Sequence, residues 1–248
     1  MDSLHPWDVQ TCSCGRLTLS RGPKHRRVQW RAEPGAGWTD LCGELDPAGG
    51  AEGTDRLRQV LLISGSLRNG STNTALLRTS KAVAPPRLAT VLYDGLDELP
   101  HFNPDHDVSL LHPAVADLRA RIASADAVLL STPEYAGGLP GSFKNLLDWT
   151  VGGGEIYGKP VAWVNASASP TGAADAYESL RKVLGYVGAV VVEPACAHIP
   201  VTRNAIGADG HVADPSIRAR LGDVLGALLA HLEHGRAVGV AGQPPTTA

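Results

Sequence analysis

The sequence lacks the features that mark several special classes of protein. No apolar run approaches the ~20 residues that a membrane-spanning helix requires, and the first ten residues lack the basic start and apolar stretch of a signal peptide. The formal net charge is only -3 over 248 residues, so the overall charge favours neither nucleic acid nor an acidic partner. We therefore expect a soluble, cytoplasmic protein that binds no nucleic acid and no membrane.

Cysteine is scarce as well. Of the four cysteines, Cys12, Cys14 and Cys42 lie in the N-terminal stretch and Cys196 stands alone. Cys12 and Cys14 are too close in sequence for an ordinary disulfide, and no second pair completes a zinc site. We expect reduced thiols and no bound metal.

Residues 1–55 differ from the rest of the chain. Their apolar residues follow neither a strand nor a helix period, residues 16–31 are basic, and residues 45–55 resemble a linker. The basic patch has two interpretations: an arm that binds nucleic acid or membrane, or a disordered extension. Short basic runs are frequent, which favours the extension, although Trp30 and Trp38 leave docking open. We predict a disordered extension over 1–55, one domain over 56–236 and a flexible tail over 237–248.

From Gln59 onward, short apolar runs alternate with stretches of helical periodicity. Continuous apolarity is typical of parallel strands covered by helices on both faces, so the pattern predicts an α/β fold with a doubly wound parallel sheet. The predicted strands are 60–63, 88–92, 127–130, 161–164 and 189–192, and the predicted helices are 74–84, 113–123, 142–150, 173–187 and 215–234. Ligands of such sheets bind at the carboxyl ends of the strands.

The first loop, residues 64–73, precedes a predicted helix and has the composition of a phosphate site. Glycines allow close backbone approach, the helix N-terminus offers free N–H groups, and Arg68 supplies a positive charge. A nucleotide-triphosphate loop needs lysine where Ser71 stands, and the dinucleotide fingerprint is absent. Hydroxyl and amide donors are supplied by Ser66, Ser71, Thr72 and Asn73. The loop suits a single terminal phosphate; the alternative is a Ser/Gly-rich turn that only caps the helix.

Gly65-Ser66-Leu67-Arg68, followed by Ser71 and Asn73, resembles the phosphate loop of the NADPH-dependent FMN reductases. That flavodoxin-like family includes quinone, chromate and azo-dye reductases. The resemblance implies a five-stranded parallel sheet of order 2-1-3-4-5 with helices on both faces. It also implies that Ser66, Arg68, Ser71 and Asn73 contact the phosphate of FMN.

The second loop, residues 131–145, is similar to the second motif of the same family. Prolines stiffen this loop, its glycines permit close approach to a flat ligand, and Tyr135 offers an aromatic face. The resemblance implies that the isoalloxazine ring lies against Pro133, Glu134, Tyr135, Ala136 and Gly137. We interpret Glu134 as structural or interfacial rather than as a general acid, because hydride transfer to flavin needs no protein acid. Lys144, Asn145 and Trp149 are assigned to helix packing and subunit contacts.

The third loop, residues 165–172, matches the family less well. Ala166, Ala168 and Pro170 stand where relatives often have glycine, so a different backbone path is open. The resemblance implies contacts of Ser167, Ser169 and Gly172 with the pyrimidine edge of the flavin.

Residues 99–105 also resemble the family. His101 and Asp105 form a possible catalytic pair there, but a turn capped by aspartate is the favoured interpretation.

Taken together, the resemblance implies an FMN-dependent oxidoreductase. NADPH or NADH passes hydride to the flavin and leaves, and a small acceptor is then reduced, so no protein residue is assigned a catalytic role. Quinone, azo compound, metal oxyanion and free flavin remain open as acceptors, and a homodimer or homotetramer is expected. Two rivals remain: a flavodoxin-type electron carrier, and a module of the same fold without a cofactor.

Overall fold

The structure, a computed structural model, describes residues 7–11, 17–21, 56–108 and 110–240. Contacts divide the chain into two units, Met1–Thr54 and Asp55–Ala248. In the first unit, strands β1 (Trp7–Thr11) and β2 (Leu17–Arg21) pair antiparallel, a pairing that the sequence did not predict. The remainder of the predicted extension lies outside the described residues, and its disorder stays a prediction.

The second unit contains a parallel sheet built on four well-formed strands. Each is a nearly continuous apolar run, as predicted, and every strand-to-strand connection passes through a helix. The strands are β3 (Arg58–Ser64), β4 (Leu88–Tyr93), β5 (Ala127–Ser131) and β6 (Pro160–Asn165). Hydrogen bonding gives the order β4-β3-β5-β6-β7, where β7 (Val190–Val191) is the next strand in sequence, so the predicted order 2-1-3-4-5 is confirmed.

The fifth position of the sheet is divided between two short strands. β7 (Val190–Val191) pairs with the start of β6, and β8 (Ala197–His198) pairs with its end. A 3-10 helical turn at Glu193–Ala195 separates them. Pro194 lies in that turn and has no N–H to donate to a ladder, which explains why the strand predicted over 189–192 is short and interrupted.

Five helices cover the two faces of the sheet. They are α1 (Thr72–Ala82), α2 (Pro113–Ser124), α3 (Gly141–Asp148), α4 (Ala174–Tyr186) and α5 (Pro215–Val240). α5 continues past the predicted end at His234 into the region predicted as a flexible tail; residues 241–248 lie outside the described residues. None of the helices in the described ranges is long and apolar enough to cross a membrane.

Successive residues of β3 enter two different cores. Leu61 and Ile63 pack in the cluster that contains side chains of α2, α3 and α4, whereas Val60 and Leu62 pack with those of α1 and α5. All four are at most 2% exposed. This two-sided burial is the physical reason for the unbroken apolar run, and it fixes the carboxyl end of β3 where the first loop begins.

Candidate functional site

The three predicted loops lie at one edge of the sheet. They follow β3, β5 and β6, which are neighbours, so the carboxyl ends of these strands are adjacent. The Gly65 N–H donates to the Ser131 carbonyl at 2.8 Å, which joins the first loop to the start of the second. The structure therefore brings the predicted residues of all three loops to one site.

The first loop presents unpaired donors at the N-terminus of α1. The backbone N–H groups of residues 70–73 donate to no acceptor within the described part of the chain. Ser71 caps the helix, since its hydroxyl accepts from the Thr74 N–H at 3.4 Å, and its own proton remains available. Arg68 is exposed and makes no ion pair with another described residue. Free N–H groups, a helix dipole and an unpaired guanidinium together form an anion site.

Asn73 has a structural contact that the sequence did not reveal. Its side chain is 5% exposed, and its amide oxygen accepts a hydrogen bond from the Ser131 hydroxyl at 2.9 Å. The amide nitrogen retains its donors, so the predicted phosphate contact stays a prediction. Thr72 is half-buried at the first position of the helix. Ser66 is also half-buried, and its hydroxyl accepts from the Arg68 N–H at 3.4 Å.

Gly65 is required by the close approach of the first two loops. A β-carbon at this position would lie 2.4 Å from the Thr132 hydroxyl oxygen and 2.8 Å from the Phe143 ring. Both neighbours are buried, so they have little freedom to move. The glycine therefore sets the spacing between the first and second loops.

The second loop turns back on itself at its tip. Tyr135 and Gly138 exchange two backbone hydrogen bonds of 3.0 and 3.1 Å, and Ala136 and Gly137 between them have positive φ values of 50° and 71°. Positive φ at both central residues is the geometry of a type I′ turn. The Tyr135 side chain is 53% exposed, which leaves its aromatic face open to a ligand.

Ala136 is strained in this turn, because a residue with a β-carbon disfavours positive φ. The substitution Ala136→Asn is expected to stabilise the fold by about 0.5–1 kcal/mol, since Asn-Gly is the preferred central pair of a type I′ turn. Chemical denaturation of the flavin-free protein measures the change. Ala168→Asn, at an exposed position of the third loop without positive φ, is the matched control. An unchanged or lower unfolding free energy for Ala136→Asn alone would contradict the strain.

Glu134 caps a helix that begins after a different loop. Its carboxylate accepts from the Ala176 N–H at 3.0 Å, in the first turn of α4. The position before that helix is Ala173, which has no capping side chain. Glu134 therefore caps the N-terminus of α4, although it lies in the second loop and not directly before the helix. The geometry agrees with the structural interpretation of Glu134.

Tyr177, on α4, joins the second loop to the end of β6, where the third loop begins. Its hydroxyl lies 3.2 Å from the Thr132 carbonyl and 3.0 Å from the Val164 carbonyl, and accepts from the Thr132 N–H at 3.3 Å. Burial raises the pKa of Tyr177 well above its ordinary value, so the hydroxyl stays protonated. Tyr177 was not among the predicted site residues, because a tyrosine on an amphipathic helix is typical of an ordinary core position.

The third loop is held closed by Asn165. This side chain accepts from the Ser167 N–H at 2.9 Å and donates to the Gly172 carbonyl across the loop. The hydroxyls of Ser167 and Ser169 are 2.8 Å apart, and the Ser169 hydroxyl is 3.2 Å from that of Thr171. Gly172 has a φ of 62°, which favours glycine. The loop therefore presents a row of hydroxyls at the site edge.

The segment 99–105 is fixed by α3 and the residue after it. Asn145 donates to the Pro100 carbonyl at 2.9 Å and accepts from the Phe102 N–H at 2.7 Å. The Trp149 indole also donates to Pro100, at 2.8 Å. These contacts give Asn145 and Trp149 the packing roles that were predicted.

The turn in this segment is capped by Asn103, not by Asp105. The Asn103 side chain accepts from the Asp105 N–H at 3.0 Å, because the asparagine precedes Pro104 at the start of a 3-10 turn. His101 and Asp105 are both exposed and share no hydrogen bond or ion pair within the described ranges. Across those ranges no group of three His, Cys, Asp or Glu side chains is placed to hold a metal ion.

Comparisons with known proteins agree with this geometry. Residues 58–202 match the family model described as NADPH-dependent FMN reductase. An NAD(P)H-dependent FMN reductase of Pseudomonas aeruginosa is 36% identical, over 68% of this chain and 92% of that protein. A quinone reductase of Escherichia coli K12 is 32% identical, over 54% of this chain and 73% of that protein.

A solved structure extends the likeness to three dimensions. The flavoenzyme NAD(P)H:(acceptor) oxidoreductase FerB of Paracoccus denitrificans is 34% identical, with a TM-score of 0.64. The match covers 71% of this chain and 98% of that protein. The family model spans the sheet and all three loops of the site, and more than half of the chain. The chain belongs to the NADPH-dependent FMN reductase family.

Proposed function

We propose that this chain is an FMN-dependent NAD(P)H oxidoreductase that passes reducing equivalents to a small acceptor of the quinone class. The observation that carries the proposal is the unpaired row of N–H donors at residues 70–73 beside the unpaired Arg68. Those donors lie on the same sheet edge as the exposed Tyr135 ring. A phosphate site next to an open aromatic wall suits a flavin mononucleotide.

The residues present fit FMN at both ends. The first loop and the N-terminus of α1 offer neutral N–H donors and one guanidinium, which match the single terminal phosphate of FMN. The second and third loops offer backbone groups and hydroxyls for the polar rim of a flavin, from Ala136 to Gly137 and from Ser167 to Thr171. When bound, FMN supplies the hydride chemistry.

The protein's own residues act by holding and orienting. Arg68 and the N-terminus of α1 bind the phosphate, and Ser71 donates its remaining proton to it. Glu134 holds the second loop against α4, and Tyr177 holds it against the end of β6, where the third loop begins.

Anaerobic titration of the FMN-loaded protein with NADPH, and separately with NADH, tests the proposal. We expect the absorbance of the oxidised flavin to disappear after a stoichiometric amount of NADPH or NADH has been added. Addition of a benzoquinone is then expected to restore it. A flavin that stays oxidised under excess NADPH would favour the electron-carrier rival. A colourless protein that takes up no added FMN would favour the cofactor-free rival.

The quinone class is favoured among the four acceptors by the relatives, since one of them is a quinone reductase. A small planar acceptor also suits a site whose entrance is the exposed face of Tyr135. Steady-state comparison of a benzoquinone, an azo dye, chromate and free flavin checks this ranking. A kcat/KM for any of the other three above that for benzoquinone would contradict it.

We also propose that the chain forms a homodimer. Val108 and Val151 are 54% and 62% exposed, and they flank the place where Asp107 approaches Gly152. Neighbouring Leu110 is 88% exposed. Apolar side chains grouped in this way mark a surface that association would cover. Light scattering at two concentrations measures the mass, and a monomer at both would refute the proposal.

A further inference from the structure

His198 is an exposed residue that lies beside the third loop of the site. It ends the short strand β8, which pairs with the end of β6, and its partner in the register is Asn165, the first residue of the third loop. The pairing continues past His198, since the Ile199 N–H donates to the Asn165 carbonyl at 2.8 Å. The function proposed above gives His198 no role.

The imidazole ring of His198 contacts both ends of the third loop. Its Nε2 atom lies 2.7 Å from the Ser167 carbonyl oxygen. A carbonyl can only accept a hydrogen bond, so Nε2 carries the proton and is the donor. At the other end of the loop, a β-carbon placed on Gly172 would lie 3.2 Å from Cε1 of the same ring. One exposed side chain therefore bonds to the start of the loop and packs against its end.

Ser167 is held through both of its backbone groups. Its N–H donates to the Asn165 side chain at 2.9 Å, and its carbonyl accepts from His198. Asn165 is only 8% exposed, so it holds the loop from the buried side, whereas the exposed His198 holds it from the solvent side. The Ser167 hydroxyl, which lies 2.8 Å from that of Ser169, takes its position from this backbone.

The backbone of His198 is itself fixed by two elements. Its carbonyl accepts a hydrogen bond from the guanidinium of Arg220, which lies on α5. The strand pairing with β6 fixes the same residue from the other side. The imidazole therefore reaches the third loop from the sheet and one of its covering helices.

We propose that His198 is a positioning residue, which acts through the Ser167 carbonyl to hold the third loop in the conformation that receives the flavin ring. The inference rests on the proposed function, because that function places the ring of FMN against the second and third loops. An exposed side chain contributes little to the free energy of unfolding. The contribution of His198 is therefore expected in the order of the third loop and in the affinity for the flavin ring.

Exchange of backbone amide hydrogens in the flavin-free protein tests the contact with the loop, because it measures local opening. We expect His198→Ala to accelerate exchange in residues 166–172 about fivefold, as for the loss of one hydrogen bond between neutral groups. His234→Ala is the matched control, since His234 is also exposed and its Nδ1 atom lies 2.7 Å from the Ala230 carbonyl oxygen. His234 lies roughly 20 Å along α5 from Arg220, so its loss is expected to leave exchange in the loop unchanged.

Titration of the flavin-free protein with FMN and with riboflavin tests the effect on the site. Riboflavin has the same ring as FMN but lacks the phosphate. We expect His198→Ala to weaken binding of both by the same factor, about fivefold, whereas Arg68→Ala weakens the binding of FMN alone. His198→Gln keeps an N–H donor at nearly the reach of Nε2, and is expected to restore both affinities to within about twofold of wild type. His198→Asn is one methylene group shorter, and is expected to bind both flavins as weakly as His198→Ala.

Several results would overturn the inference. They are loop exchange that is the same in His198→Ala and His234→Ala, a loss of affinity for FMN without a loss for riboflavin, and affinities that His198→Gln does not restore. Urea unfolding of the flavin-free variants adds another, since a midpoint clearly lower in His198→Ala than in His234→Ala would place the role of His198 in the fold as a whole.

The proposed function fails separately, since it requires flavin binding. A wild-type protein that takes up neither FMN nor riboflavin, but whose loop exchange rises in His198→Ala, would keep the contact of His198 with the third loop and lose the reductase assignment.

Discussion

Replacement of Arg68 with alanine is expected to weaken FMN binding by about 1.5–3 kcal/mol, or roughly tenfold to 150-fold. Arg68 is the one full charge in the first loop, and no described residue forms an ion pair with it. Its guanidinium is therefore free to form paired hydrogen bonds with a phosphate. Quenching of flavin fluorescence during titration of the flavin-free protein gives the dissociation constant.

Two control variants separate the effect of the Arg68 side chain from a general effect of charge. Arg68→Lys keeps the charge but loses the two-pronged geometry, so its affinity is expected to lie between wild type and Arg68→Ala. Lys81→Ala changes the charge of the last turn of α1, far from the loop, and is expected to have little effect. Salt should weaken FMN binding less in Arg68→Ala than in wild type, because a charge pair is missing. Equal affinities for wild type and Arg68→Ala would remove the first loop as the phosphate site.

The positions of the sheet strands could be predicted because a strand that is buried on both faces needs consecutive apolar residues. β3, β5 and β6 each contain a short unbroken apolar run, β4 contains one interrupted by Thr90, and the resemblance then supplied the order. The fifth strand was less predictable, since pairing with β6 and the interruption at Pro194 depend on contacts between segments. The end of α5 was also misplaced, because Gly235 and Gly239 have low helix propensity yet lie within the helix.

Some site residues could likewise be predicted from local sequence, whereas others depend on contacts between distant segments. Ser66, Arg68 and Ser71 could be proposed as phosphate ligands from the sequence, because small residues and a cation between a strand and a helix are typical of a phosphate site. The contacts that connect the loops have no such sequence pattern. Glu134 caps a helix 42 residues further along the chain, and Tyr177 reaches the same distant loop from that helix. Only the folded arrangement reveals that these two side chains hold the site together.

This arrangement leads to a second large expected effect. Tyr177→Phe removes the buried hydroxyl that contacts Thr132 and Val164, and leaves the Thr132 N–H without that acceptor. An unsatisfied buried backbone group costs about 1–3 kcal/mol, so we expect the free energy of unfolding of the flavin-free protein to fall by this amount. Chemical denaturation measures the change. We also expect weaker FMN binding, because the second loop loses its contact with the end of β6, where the third loop begins.

Tyr186→Phe is the matched control, since Tyr186 ends the same helix and is 84% exposed. Its loss of a hydroxyl is expected to change the unfolding free energy by no more than about 0.5 kcal/mol. Because burial keeps the pKa of Tyr177 far above neutral, the difference between the two variants should be constant from about pH 6 to 9. A Tyr177→Phe protein that unfolds like Tyr186→Phe, or a difference that changes across this pH range, would show that the hydroxyl does not hold the loops. If stability falls while FMN affinity is unchanged, Tyr177 supports the fold alone, and the spacing of the ring walls is set by Gly65 and Glu134.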